Sequence, residues 1–348
     1  MRIVAVPMEG AERLRRELHH AGIVDRTVRM AKRRGEVLIP VKTDPPMDLA
    51  RHHAHLEDID GLDPRPVTRD PHDELRERLR RYGVPPGLAP TKWERLGDVL
   101  VLRLSEAAQE HGAAIGSAFA ETFDAQTVVE DVSGIHGVFR TPEIRILWGR
   151  GMEVVHLEGG VRYTFDVAKV MFSSGNLPER TSIASKVPDR AVVVDLFAGI
   201  GYFALPIAIH ARPARIYACE LNPVAFHYLL ENLRINRAPN VMPLFGDCRT
   251  TAPRGEADIV LMGHFSARDY LDVGLECLRG AGLIVYHELC PKEQFPEAPI
   301  GRLTSAARTQ WYDVEAVRSR ILKSYAPGIV HAVLEARVRR RPRAPPSV

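Results

Sequence analysis

The sequence predicts an α/β protein: a mostly parallel sheet finished by an antiparallel hairpin, with smaller α+β domains ahead of it. Three observations predict it. From about Ala168 onward, runs that are apolar throughout (AVVVDLF, ARIYACEL, ADIVLMGH, GLIVYHEL) alternate with helix-spaced stretches, as strands buried on both faces of a parallel sheet do. The final pair, WYDVEAVRSRILK and GIVHAVLEARV, flanks SYAPG and reads as two strands joined by a tight turn. Before Ala168 the chain reads instead as a sheet-rich domain with little strand–helix alternation.

Taken in order, MRIVAVP alternates like a strand, GAERLRRELHHAGI has helical spacing with a basic face, and GEVLIPV is a second strand. KTDPPMDLARHHAHLEDIDGLDPRP is rich in proline, charge and histidine and reads as an acidic linker or long loop. Residues 1–64 are therefore a small α/β module plus linker. A middle α+β domain spans 72–166: the helix DPHDELRERLRRYGV, the strand GDVLVLRL, a helix over SEAAQEHGAAIGSAFAETF capped by Ser105, then the strands AQTVVEDV, RTPEIRILWG, MEVVHLEGG and VRYTFDV. Residues 167–338 hold the parallel sheet, its helices and the hairpin. The basic tail 339–348, RRRPRAPPSV, is expected to be disordered.

At 348 residues the chain is long enough for two or three domains, each with its own core. A formal charge of +3 does not by itself point to a polyanion. Its distribution is uneven, with Lys and Arg outnumbering Asp and Glu over 1–42 and 315–348. Such patches suit either a nucleic acid or a solvated surface. The four cysteines lie far apart and form no C-x-x-C pair, the usage of a cytoplasmic protein with reduced thiols and no zinc site. No secretory leader is visible. The most apolar run, Val192 to Pro206, is broken by Asp195 and two glycines, so no membrane span is expected. His52, His53 and His55 lack a nearby acid or thiol at metal-ligand spacing and belong to a solvated linker rather than a metal site.

That apolar run, VVVDLFAGIGYFALP, contains Gly199-x-Gly201-x-x-Ala204, a turn in which backbone can approach a ligand closely. The spacing alone does not separate a dinucleotide site from a simple tight turn. Three acids sharpen it. Asp195 sits at the C-terminal end of its strand, where it would repel a pyrophosphate and suit an ammonium. Glu220 ends the second strand, placed to accept hydrogen bonds from both hydroxyls of a ribose. Asp247, followed by Cys248, ends the third strand and can meet an adenine amino group. Each acid alone is equally a capping or solvated residue. At three successive strand ends they describe S-adenosylmethionine.

The stretch from Ala191 to Val338 resembles the class I S-adenosylmethionine-dependent transferases. Over most of residues 90–338 the resemblance is narrower. FRTPEIRIL, VMFSSGNLPERTSIAS, DLFAGIGYFALP, ELNPVA, GDCR and KSYAPG look like the tRNA-modifying family acting on the purine 3′ of the anticodon. Its two branches are the wybutosine-synthesising aminocarboxypropyltransferases and the tRNA (guanine-37-N1)-methyltransferases. Where the methylating branch usually carries FSPR and N-[PL]-P, this chain has Phe172-Ser173-Ser174-Gly175-Asn176 and Met262-Gly263-His264. These departures, with Tyr286-His287-Glu288, match the aminocarboxypropyl branch.

The resemblance implies transfer of the 3-amino-3-carboxypropyl group to C7 of 4-demethylwyosine at position 37 of phenylalanine tRNA, with methylthioadenosine released. It also implies RNA positioning by the middle domain. The cofactor set it implies is Ser173, Arg180, Asp195, Phe197, Gly199, Gly201, Glu220, Asp247, Cys248, Met262 and Gly263. A guanidinium at Arg180 suits the carboxylate of the transferred group, or is a plain ion pair with Glu179. Glu179 aligns with the base proposed in the methylating branch, Arg140 with an arginine that contacts the target base. His264 and His287-Glu288 are further candidates for chemistry, and Lys323 and the last arginines for phosphate contact. The alternatives are the guanine-37-N1 methyltransferase and a tRNA-binding subunit without turnover.

Overall fold

The computed structural model describes residues 1–63, 70–136, 141–172 and 174–342, in two units, Met1–Glu74 and Leu75–Val348. In the first, β1 (Arg2–Pro7), α1 (Ala11–His20), β2 (Ala31–Arg33), β3 (Glu36–Pro40) and β4 (His55–Asp58) make an antiparallel sheet of order β2-β3-β1-β4. Leu14 and Leu18 on one side of α1 are fully buried and pack with Val4, Val6 and Ile39 of the sheet. The expected linker is thus partly a strand. His55–Asp58 pairs with Arg2–Ala5 although Leu56 is its one apolar residue, because edge pairing needs backbone and little side-chain burial. Nε2 of His52 lies 3.0 Å from Oε2 of Glu17.

The second unit begins with α2 (Pro71–Arg81), whose first turn straddles the boundary. It continues through β5 (Glu94–Leu96), β6 (Val99–Leu102), α3 (Gly112–Phe123), β7 (Thr127–His136) and β8 (Thr141–Gly149), with sheet order β5-β6-β7-β8. The single long helix expected over 105–123 is split. A 3-10 segment, Glu106–His111, precedes α3, and Ser105 makes no side-chain cap bond. Leu75 and Leu79 join Ile115, Phe119 and Val128 in a core under that sheet. A hairpin follows, β9 (Glu153–Glu158) and β10 (Val161–Asp166), then α4 (Leu177–Ile183).

The remainder is the predicted sheet: β11 (Val192–Asp195), α5 (Ala204–His210), β12 (Arg215–Glu220), α6 (Pro223–Asn236), β13 (Val241–Phe245), α7 (Cys248–Thr251), β14 (Ala257–Met262), α8 (Leu271–Cys277), β15 (Leu278–Pro291), α9 (Glu297–Thr309), β16 (Tyr312–Ala326) and β17 (Ile329–Arg340). Strand order is β13-β12-β11-β14-β15-β17-β16. The first five strands are parallel, and β17 is antiparallel to both neighbours. Val193 and Val194 enter separate cores on opposite faces, which is why the interiors of these strands are apolar on both faces. Strand β17 takes in Arg339 and Arg340, where the sequence suggests a disordered tail. The strand order reverses beside β11, the switch point at which open α/β sheets place their ligands.

Candidate functional site

At the C-terminal ends of β11 to β14 lies a cavity of about 230 Å³. Its lining includes Phe197 and Gly199 after β11, Glu220 and Asn222 after β12, Asp247 and Cys248 after β13, and Gly263 and His264 after β14. His287 of β15 and Asn176, Arg180 and Tyr202 supply further wall.

The glycine turn has a steric reason. Gly199 has φ +57° and Gly201 φ +101°, conformations that L side chains rarely adopt. A Cβ on Gly199 would come within 2.5 Å of the Tyr202 ring. Backbone N–H of Gly199 donates to Oε2 of Glu220 at 2.7 Å, and N–H of Asn222 donates to Oε1 at 2.7 Å. Glu220 is thereby fixed at the strand end, and burial raises its pKa above the usual carboxylate range. Asn222 caps α6 by accepting from N–H of Val224 at 2.9 Å.

Asp195 is completely buried. Its Oδ1 accepts from N–H of Phe197 at 3.2 Å, whereas Oδ2 has no partner. Burial pushes this carboxyl up to about 7, with the charge of Glu220 adding to the rise. Direct contact with an ammonium was the expectation for Asp195; the cavity is lined instead by its successors Leu196 and Phe197, with Asp195 behind them. Asp247 does line the cavity, and its carboxylate is also held by its own neighbour: Nε of Arg249 donates to Oδ1 at 3.0 Å. That side-chain bond is the main cause of its lowered pKa. Cys248 lines the cavity with its thiol raised to about 12 by burial, so it is neutral and serves as an apolar surface.

Phe197 forms an aromatic step. His264 stacks on it with centroids 5.3 Å apart, and Tyr270 meets it edge-on at 5.1 Å. Gly263 has no room for a side chain, because a Cβ would sit 2.5 Å from the ring of Phe203. Met262 departs from expectation: it is fully buried, with its sulfur packed against Gly274 of α8, and lines no part of the cavity.

Glu179 and Arg180 are both buried, and they do not pair with each other. Arg180 reaches the β9–β10 hairpin, where Nε and Nη2 donate to the two carboxylate oxygens of Glu158 at 2.6 and 2.7 Å. Its guanidinium lies 4.7 Å from the centroid of Phe172. So clamped, Arg180 lines the cavity. Glu179 is not among the residues that line it. Its carboxylate pairs with Lys186 at 3.4 Å and with Arg320, and both cations also pair with Glu335. This engagement removes it from the position a base at the cavity would need. Glu288 likewise belongs to the core, held by Arg302 and Tyr286. Arg140 and Ser173 lie outside the described residues. Sequence reasoning missed Glu158, Asn176 and Tyr202; Glu158 and Arg180 are 22 residues apart, on different elements, with no local signal linking them.

Among the described residues no group of three or more His, Cys, Asp or Glu is arranged to hold a metal, and no helix is long and apolar enough to cross a membrane.

Known proteins supply the context. A Methanocaldococcus jannaschii protein named tRNA(Phe) (4-demethylwyosine(37)-C(7)) aminocarboxypropyltransferase is 36% identical over 250 residues, covering 72% of this chain and 98% of that one. The chain belongs to the TRM5/TYW2 family. The TRM5/TYW2 methyltransferase domain model matches residues 154–315, the TYW2 N-terminal domain 75–152, and the tRNA methyltransferase 5 N-terminal domain 4–48. The crystal structure of M. jannaschii TYW2 in complex with AdoMet aligns at TM-score 0.60 and 33% identity, covering 72% of this chain and all of that one. That of P. horikoshii TYW2 in complex with MeSAdo aligns at 0.71 and 31%, over 78% of this chain and all of that one. The TRM5/TYW2 core is therefore matched in both sequence and fold, with the mostly parallel sheet and terminal antiparallel hairpin as expected.

Proposed function

We propose that this chain transfers the 3-amino-3-carboxypropyl group of S-adenosylmethionine to C7 of 4-demethylwyosine at position 37 of tRNA-Phe and releases methylthioadenosine. The observation that carries the reading is the pair of carboxyls, half-buried Glu220 at the cavity and fully buried Asp195 just behind it. Asp195 has an oxygen without a partner and a pKa raised to about 7. Such a site gains by binding a cation and would reject a diphosphate. The residues fit the donor: Glu220 has remaining lone pairs for the ribose hydroxyls, Asp247 and the neutral Cys248 flank the adenine, and Arg180 offers a cation to the amino-acid carboxylate. When bound, S-adenosylmethionine supplies a carbon made electrophilic by a sulfonium leaving group.

The chain's own residues then orient and shield. Glu158 holds Arg180 in one rotamer against Phe172, which pre-organises the carboxylate contact instead of leaving a mobile surface arginine. Phe197 and Phe203 make the floor apolar near the reacting end and keep water from competing as nucleophile. The middle domain positions the RNA, the activity sits in the cytoplasm, and Ser173 and Arg140 complete the donor and base contacts. The relatives named aminocarboxypropyltransferase and the MeSAdo-bound neighbour support the reading. A second reading, guanine-37 N1-methylation, is favoured by the tRNA methyltransferase 5 N-terminal domain over 4–48. Parallel incubations of S-adenosylmethionine with tRNA bearing 4-demethylwyosine and with tRNA bearing guanine-37 separate the two by nucleoside product, methylthioadenosine from the first against S-adenosylhomocysteine from the second.

A further inference from the structure

Beyond the donor contacts, the cavity wall holds a buried histidine with no assigned task. His287 on β15 is buried, lines the cavity, and has an Nε2 atom without a hydrogen-bond partner. An unpaired buried polar atom costs stability and calls for an explanation. The sheet order locates it relative to the donor. Ribose-binding Glu220 ends β12, and β11, β14 and β15 follow in sequence across the sheet. His287 therefore stands three strand spacings away, on the order of 14 Å. A nucleoside anchored at β12 and β13 with its transferable arm extended along the strand ends toward β14 and β15 would meet the acceptor base beside Gly263, Phe203 and His287.

We infer that His287 is the group that takes the proton released from the attacked ring carbon. The inference rests on the aminocarboxypropyl reading. In the step, C7 of the base provides an electron pair to the new C–C bond, and the C–S bond breaks with its pair kept by the departing neutral thioether. The ring then carries a positive charge and a tetrahedral C–H. Its C–H pair restores aromaticity as the proton passes to Nε2 of His287, which becomes an imidazolium. The ring tautomer suits this: His287 Nδ1 lies 3.1 Å from Nε2 of His331, so Nδ1–H donating to His331 leaves the Nε2 lone pair unengaged in a residue of the cavity wall.

Charged groups from three neighbouring segments act on this ring. Burial is the largest influence, and with Arg320 of β16 and Lys186 after α4 it lowers the pKa of His287 to about 3 against the opposing charge of Glu335 on β17. The imidazole is therefore unprotonated across neutral pH. A weak base suffices, since a protonated aromatic ring is a strong acid. Glu179, the alternative, is held by two cations away from the cavity.

The test uses His287→Gln in the full chain, with precursor tRNA carrying hydrogen or deuterium at C7 and single-turnover kinetics. The variant should bind S-adenosylmethionine as wild type does and react about a hundredfold to ten-thousandfold more slowly. It should also show a normal deuterium isotope effect that wild type lacks, because deprotonation becomes rate-limiting. A merely structural histidine would slow turnover without creating that isotope effect. If His287→Gln loses cofactor binding, His331→Phe is used instead; it removes the Nδ1 acceptor and should produce the same isotope effect. A rate close to wild type, or slowing without an isotope effect, overturns the inference. Release of S-adenosylhomocysteine by wild type would instead overturn the reading beneath it.

Discussion

Asp195→Asn tests the electrostatics of the site most sharply, because it should move two observables in opposite directions. In the wild-type chain the carboxyl rises from 3.8 to about 7, a difference worth roughly 4 kcal/mol once the folded group is ionised. The sign follows from proton counting. Between these two values the folded state holds the proton and the unfolded state does not, so stability falls as pH rises through that window. From pH 5 to pH 8 the wild type should lose about 2–3 kcal/mol through this residue, while an asparagine loses nothing. The amide keeps an acceptor for N–H of Phe197 but leaves a buried N–H unpaired where Oδ2 stood, at about 1–3 kcal/mol. The variant should thus be no more stable than wild type at pH 5 and more stable at pH 8, while binding S-adenosylmethionine about tenfold to a hundredfold more weakly. Urea unfolding followed by tryptophan fluorescence reads the correct unit, since Trp93, Trp148 and Trp311 all lie within Leu75–Val348. A stability difference equal at both pH values would refute the buried, unpaired carboxyl, and unchanged affinity would refute its part in binding.

Other perturbations follow from the same geometry. Glu220→Ala should weaken S-adenosylmethionine binding by about tenfold or more, measured by calorimetry, and leave tRNA binding intact; equal loss of both in a folded protein contradicts the ribose role. Glu158→Gln breaks a buried two-bond ion pair and should destabilise the second unit by about 3–5 kcal/mol, with Arg180 freed and the affinity for the donor's carboxylate reduced. Wild-type affinity for S-adenosylmethionine should rise with pH up to about 7, as Asp195 loses its proton, and then level off.

The catalytic sheet was legible because the interiors of its parallel strands are buried on both faces and read as short apolar runs distinct from helix spacing. The strand His55–Asp58 was not, since a hydrogen-bonded edge with one apolar residue leaves no periodic trace. Helix α9 was missed because FPEAPIGRLTSAART begins with two prolines and contains a glycine, yet Leu303 and Ala307 on one face anchor it. At the site, Gly199, Gly201, Glu220 and Asp247 could be read from the strand ends where they fall. What local sequence cannot convey is which way a side chain turns. Met262 and Gly263 are adjacent, but one fills the core and the other opens the cavity. Glu179 and Arg180 are adjacent as well, and each finds its counter-charge on a different distant element.

Which carbon leaves the sulfur decides the account as a whole, and mass spectrometry of one reaction answers it. With tRNA-Phe bearing 4-demethylwyosine and S-adenosylmethionine, the account predicts methylthioadenosine in solution and an aminocarboxypropyl increment on nucleotide 37. No reaction with that tRNA, and S-adenosylhomocysteine with a methyl-sized increment from tRNA-Phe bearing guanine-37, would contradict it.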